Sequence, residues 1–480
     1  MSDQTAYNSP HRKKLLTVFM MGLLFPFAES LLYSIGFPHS EYVFETVRPL
    51  WLAVTAGSAS GLLFTQPNRL QKISASQWLL AAAMVWIVVR VIADRYVFYE
   101  NDPQHIWVRA FSAWFLFYPV GSLLDREEMK KAVHWIAAVW VGTMVFLGIV
   151  GIVSVCNGVL VYTPNNATRI GMENNRLILA YYCVTSAQNA VLACNLALFV
   201  MFTTGHKWLR VLCGAAIALL FVALGLIDGT NGMLTLAVLL GMAAFVLVTN
   251  RLSPRTVRGF AAGIAAALAV LLVCYNANTK VLNCFEVGPG REVYVDQLLG
   301  RNQPAPQEIP LPSELPPAQV EETQQIQRDP THLKIDASLH GRTQIWKSAL
   351  ESLLSNEKNS LLIGCTPYGF DELIQTPELP YRVPTSHNIY LQVVLEWGLP
   401  GLVIMAAFLF LFVKSALRLL FGEGVPLWER FVPCMAIAGL FSELADCFAD
   451  LNTDTVSLYL LFLFLGLTMG LDFRERNMNG

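Results

Sequence analysis

The chain has 480 residues, 54% of them hydrophobic and 14% charged, with a formal net charge of −2 and a mean hydropathy of +0.47. A soluble domain normally has about a quarter of its residues charged, so these values exclude an ordinary soluble globular protein. The near-balanced charge says nothing about partners, and nucleic acid is not expected to be one.

The apolar residues fall into runs of about 17–25, the length of a bilayer-crossing helix. In lipid every backbone polar group must be bonded internally, which makes helices the natural spanning form here. Twelve spans are read, near 15–35, 49–66, 77–93, 107–124, 132–156, 177–203, 208–227, 232–249, 258–276, 399–419, 431–447 and 454–472. The expected fold class is an all-α polytopic membrane protein. Arg12, Lys13 and Lys14 precede the first span, which is too long for a signal peptide and lacks small-residue cleavage chemistry. It is read as a retained helix, with Glu29 inside it.

Lys and Arg recur on every second loop: Arg69 and Lys72; Arg126, Lys130 and Lys131; Lys207 and Arg210; Arg251, Arg255 and Arg258; Lys414, Arg418 and Arg430; Arg474 and Arg476. The positive-inside rule then puts both termini in the cytoplasm and the long loop 277–398 on the extracytoplasmic side. The expected organisation is a nine-helix membrane region at 1–276, the loop at 277–398, and a three-helix membrane region at 399–480.

Few polar groups interrupt this pattern on the extracytoplasmic side. YENDPQ holds Glu100 and Asp102, a Glu-x-Asp pair of the kind that metal-dependent transferases use. TPNNATRIGMENNRLILA places Arg169 and Arg176 at the mouth of the sixth span, and Glu443, Asp446, Asp450 and Asp454 gather around the end of the eleventh. Ionisable groups at such depth are costly and are usually paired or functional. No cysteines have metal-ligand spacing. Cys284 and Cys365 both fall in the long loop, where a disulfide between them is one option and two free thiols the other.

Within the loop, 300–330 is rich in Pro, Gln and Glu and is expected to be extended or disordered, whereas 336–398 is expected to be helical and to carry the site. Ile345, Leu350, Leu353 and Leu354, with Trp346 beside them, have helical spacing, and Arg342 opens that helix. In PTSHNIYLQVVLEWGLPG, Ser386 is the expected N-cap, with Thr385 as the alternative. Asn388, Gln392 and Glu396 form a stripe four residues apart, and Gly398, Pro400 and Gly401 end the helix. His387 falls in the first turn, where the helix dipole attracts phosphate and disfavours imidazolium. A neutral His beside an anion site meets the needs of a general base. Anchoring at the membrane surface is the plainer alternative. For each Arg the plainer alternative is ordinary contact with lipid phosphate.

Gly341, Arg342 and Trp346, followed by Ser386, His387, Asn388, Leu391, Glu396, Gly398 and Gly401, together with Arg169, Gly171 and Asn175 upstream, resemble the O-antigen ligase and O-antigen polymerase superfamily. The resemblance implies a fold like that of C-type glycosyltransferases. It implies transfer of a glycan from an undecaprenyl-diphosphate carrier to a glycan or lipid-glycan acceptor hydroxyl, without metal or cofactor. The site would face out from a bacterial plasma membrane. His387 would be the base and Arg342 would hold the leaving diphosphate. Arg169, Arg176, Asn388, Glu396 and Trp346 are further candidates for substrate binding. Many members carry an Arg where DGTNGM here has Asn231, so Asn231 is the departure, and Arg169 or Arg176 would have to replace the lost charge. The competing reading is a transporter or flippase for an anionic lipid-linked glycan, which predicts polar residues at the bilayer midplane.

Overall fold

A computed structural model describes residues 10–34, 40–64, 75–93, 117–162, 169–173, 176–179, 183–227, 230–251, 256–284, 291–294, 345–351, 353–354, 360–364, 389–422, 424–445 and 455–479. The chain is a helical membrane protein. Its helices are α1 (Pro10–Ser34), α2 (Ser40–Phe64), α3 (Ala75–Ala93), α4 (Tyr118–Leu123), α5 (Arg126–Cys156), α6 (Cys183–Thr203), α7 (Lys207–Ile227), α8 (Thr230–Arg251), α9 (Thr256–Cys284), α10 (Ser360–Ile363), α11 (Ile389–Phe421), α12 (Leu427–Ala445) and α13 (Thr455–Asn479). Among the described residues, five helical stretches are long and apolar enough to cross a membrane: Arg126–Cys156, Ser186–Thr203, Lys207–Ile227, Gly232–Thr249 and Trp397–Phe421.

One end of the bundle is fixed by charge. α5 starts where Asp125 caps it, accepting from the Glu127 and Glu128 amides at 2.9 and 2.7 Å, while Glu128 accepts from the Asp125 amide at 3.0 Å. This reciprocal capping satisfies donors that would otherwise be orphaned. Glu128 also takes both arms of the buried Arg12 guanidinium, each at 3.0 Å. Arg126 pairs with Glu429 at 2.7 Å and with Glu475, tying α5 to α12 and α13. Burial pushes the Glu429 carboxyl above its ordinary range, against the opposing pull of Arg126. Arg474 donates to the Leu124 carbonyl at the end of α4, and Arg430 donates to the Gly422 carbonyl at 2.8 Å. Among the described residues, Arg12, Arg126, Arg418, Arg430, Arg474 and Arg476, from four of the basic segments, thus converge on one end of the molecule.

The interior relies on close helix approach. Gly121 on α4 faces Gly466 and Gly470 on α13. A Cβ at Gly121 would lie 2.5 Å from the Leu463 carbonyl oxygen, and one at Gly470 would lie 2.6 Å from that of Ser122. Small residues four apart let membrane helices pack backbone to backbone, where apolar side chains gain little from leaving lipid.

A small sheet departs from the all-α expectation. Strands β1 (Val159–Tyr162), β2 (Arg169–Glu173), β3 (Arg176–Leu179) and β4 (Arg291–Tyr294) pair in the order β3-β2-β1-β4. β1 runs antiparallel to β2 and parallel to β4. Residues 177–179 therefore form a strand, and the sixth helix begins at Cys183 rather than at 177. Leu177 and Leu179 are fully buried and cover Gly151 of α5, so their apolar character reflects packing of the sheet on the bundle.

Replacing Gly466 with Leu places a side chain against the α4 backbone. Overpacking of this kind costs about 1–3 kcal/mol. The purified variant should unfold at a lower temperature than wild type, and an unchanged midpoint would contradict the close crossing.

Candidate functional site

The end of the bundle opposite the cations collects chain segments from far apart in sequence. From Arg126 to Gly151 α5 rises about 37 Å at 1.5 Å per residue, and the sheet packs at that far end. β1 follows α5, β3 leads into α6, and β4 follows α9. Ser186 at the start of α6 accepts from the Leu179 amide at 3.3 Å. The start of α8 lies beside it: a Cβ at Gly232 would lie 2.6 Å from the Ala187 methyl.

In β2 and β3 the register pairs Glu173 with Arg176 and Ile170 with Leu179. Arg169 pairs with Tyr162 of β1. Arg169 stands four residues from Glu173, about 13 Å at the rise of a strand, so the two arginine positions occupy opposite ends of the hairpin.

α11 reaches the same end. Arg418, near its C-terminus, lies 3.5 Å from Asp472 at the basic end, and Trp397 is about 31 Å away along the helix. At Gly398 the backbone turns to φ 65°, ψ −160°, dividing α11 into a short helix, 389–397, and a spanning helix. Pro400 follows, so the bend has the usual Gly and Pro causes. A Cβ at Gly398 would lie 2.5 Å from the Gly364 amide nitrogen and 2.7 Å from the Leu362 carbonyl oxygen, so the end of α10 sits on the bend. The break leaves carbonyls at the end of the short helix without their usual donors. One of them, on Trp397, accepts from the Trp86 indole of α3 at 2.9 Å.

The short helix is held by a cluster separate from the main core. Ile345, Ala349, Leu353 and Leu395 are buried together, with Trp346, Leu391 and Val394 packed against them. Helical residues 345–351 and the first part of α11 therefore pack on each other. These are the segments that follow Arg342 and His387 in the chain.

Arg342, His387 and Asn388 lie outside the described residues, as do Ser386, Glu100, Asp102, Asp446, Asp450, Asp454 and Cys365. For Arg169, Arg176, Asn231, Glu396, Glu29 and Glu443 the backbone is described and the side chain is not. Arg169 begins β2, Arg176 begins β3, Asn231 lies in the first turn of α8, and Glu396 lies two residues before the bend in α11. Cys284 is the last residue of α9. Trp346 is half-buried against the cluster.

Residues 215–406 match the family model described as O-antigen ligase. Over this region, less than half of its length, the chain is similar to the O-antigen ligase superfamily. No curated protein matches the chain. The matched region runs from within α7 to the spanning part of α11. It contains Asn231, Arg342, Trp346, His387, Asn388 and Glu396, whereas Arg169 and Arg176 come from strands β2 and β3, outside it. The match supports glycan transfer of the O-antigen ligase kind and a role in polysaccharide biosynthesis.

Three structural features were not read from the sequence. Trp86, on α3, gave no signal, because its partner is a carbonyl more than three hundred positions away. The α6 polar residues Ser186, Asn189 and Asn195 are buried inside an apolar span, and an amide at that depth was a readable warning. The place of Gly364 against Gly398 joins two segments that no spacing in the chain links.

Gly398 tests the geometry. Replacing it with Ala puts a Cβ residue into a left-handed conformation, which costs about 1–2 kcal/mol, and drives the methyl into the α10 backbone. Glycan transfer should fall sharply while membrane insertion persists. Full transfer by Gly398→Ala would contradict the bend.

Proposed function

We propose that the protein transfers a glycan from an undecaprenyl-diphosphate carrier to an acceptor hydroxyl at the outer face of a bacterial plasma membrane. His387 is the general base on that hydroxyl, and Arg342 holds the diphosphate as it leaves. The observation that carries the reading is the packing of residues 345–353 on Leu391, Val394 and Leu395 inside the matched region. Arg342 stands three positions before residue 345 in the chain, and His387 two positions before Ile389.

The chemistry follows from residue type. An acceptor hydroxyl becomes a better nucleophile as its proton passes to a neutral imidazole in the transition state. The bond from sugar to diphosphate then breaks, and negative charge grows on the departing phosphate oxygens. A guanidinium suits that charge because it is planar, permanently cationic and able to donate two parallel hydrogen bonds. Arginine aimed at charge that develops during reaction lowers the barrier more than it tightens ground-state binding. Arg169 and Arg176 supply further positive charge in place of the Arg that Asn231 lacks, and their separation along the hairpin fits contact with different parts of an extended donor. Asn388 and Trp346 contact the sugars, and Glu396 orients the short helix without touching the reacting atoms.

Twelve spans with both termini in the cytoplasm put this machinery outside. The convergence of cations at one end of the bundle supports that orientation. The polymer-forming and single-transfer branches share this chemistry and differ in the acceptor.

In cells, His387→Ala should abolish polymer transfer while the protein accumulates normally, with lipid-linked glycan building up outside the membrane. Normal glycan output would remove His387 as the base, and build-up inside would favour a flippase. Arg342→Lys keeps one charge but loses the fork, and should lower the rate by about 10-fold or more. Transfer should persist in EDTA; its complete loss there would shift the chemistry to a metal held by Glu100 and Asp102.

A further inference from the structure

The basic end contains a cavity of about 190 Å³ that glycan transfer at the opposite end does not use. It lies between the first turn of α3, the C-terminal part of α11 and the C-terminal part of α13. Lys414, Arg418 and Arg476 line it, and Ser76 and Gln77 contribute the α3 side. Buried Asp472 sits between the two arginines, at 3.5 Å from Arg418 and 2.8 Å from Arg476, and its same oxygen accepts from the Ser415 hydroxyl at 2.8 Å. Three cations against one carboxylate leave the cavity with an excess of two positive charges.

Four arginines described at this end are accounted for differently. Arg12 and Arg126 are held by carboxylates, and Arg430 and Arg474 by helix-end carbonyls. Lys414 has no ion pair or hydrogen bond among the described residues, and it is exposed. The α3 N-terminus adds partial positive charge to the same space. Leu411, Met469 and Phe473 complete the lining, so an apolar wall stands directly beside the cations.

We propose that this cavity holds the phosphate of an anionic phospholipid headgroup. A phosphodiester matches the charge excess and the cluster of N–H donors, and the glycerol and first methylenes match the apolar wall. Basic pockets between membrane helices recognise anionic headgroups in this way. Bound there, the lipid clamps α3, α11 and α13 together at the end away from the glycan site.

The full chain in nanodiscs tests this. Phosphatidylglycerol mixed into phosphatidylcholine discs should raise the unfolding temperature and co-purify with the protein, whereas phosphatidylcholine alone should not. Lys414→Gln should weaken phosphatidylglycerol retention about fivefold, the weight of one basic side chain near an anionic headgroup. Asp472→Asn frees both arginines from their carboxylate and should strengthen retention. Opposite effects from the two variants do not arise from damaged folding. Equal retention of the two lipids by wild type, or retention unmoved by Lys414→Gln, would overturn the proposal. Inorganic phosphate raising the unfolding temperature equally in phosphatidylcholine discs would overturn the assignment to lipid.

Discussion

One backbone turn governs how this protein presents its site. At Gly398 the chain adopts a left-handed conformation that a side chain resists, and the backbone of α10 occupies the space where a Cβ would be. The turn converts one continuous apolar helix into two. The spanning half reaches the cations at the far end, while the short half lies over the cluster made by Ile345, Ala349 and Leu353. Without the turn, Leu395 would continue the spanning direction and leave that cluster. The hydrogen bond from Trp86 then compensates a carbonyl that the break leaves exposed, so α3 becomes part of the support.

The two ends of the bundle treat charge in opposite ways. At the basic end Arg12, Arg126, Arg418 and Arg476 meet carboxylates, and Arg430 and Arg474 meet helix-end carbonyls. The Arg12–Glu128 pair is bidentate and buried, and removing one partner of such a pair costs about 3–5 kcal/mol. These contacts fix the relative positions of α1, α5, α12 and α13. At the other end a four-stranded sheet and the two helices packed at Leu395 collect segments from the middle and late parts of the chain. A rigid frame at one end and a composite surface at the other suit a membrane enzyme that must bind a lipid-linked substrate without losing its shape.

The helical, membrane-spanning character was legible in the sequence because hydropathy is a local signal. The helix containing Gln392 and Glu396, and its ending at Gly398 and Pro400, followed from four-residue spacing and from two residues with special backbone preferences. The sheet was not legible. Its strands are only four or five residues long, and Leu177 and Leu179 read as the start of a span because burial in protein and burial in lipid select the same side chains. The pairing of Arg126 with Glu429 and Glu475, and of Asp472 with Arg418, was also hidden, since ion pairs between distant segments leave no spacing in the chain. For the site, the motif around Arg342 and His387 was readable. The cluster through which the helices after those residues meet was visible only as apolar spacing, without a partner.

The central claim is that the protein breaks the bond between glycan and carrier diphosphate. It is tested most directly by purified protein in liposomes loaded with undecaprenyl-diphosphate-linked glycan and an acceptor. Free carrier diphosphate and glycan on the acceptor are measured together. The account predicts one carrier diphosphate released for each glycan transferred, with neither formed by the His387→Ala protein. Intact lipid-linked glycan crossing the bilayer, with no carrier diphosphate released, would contradict it.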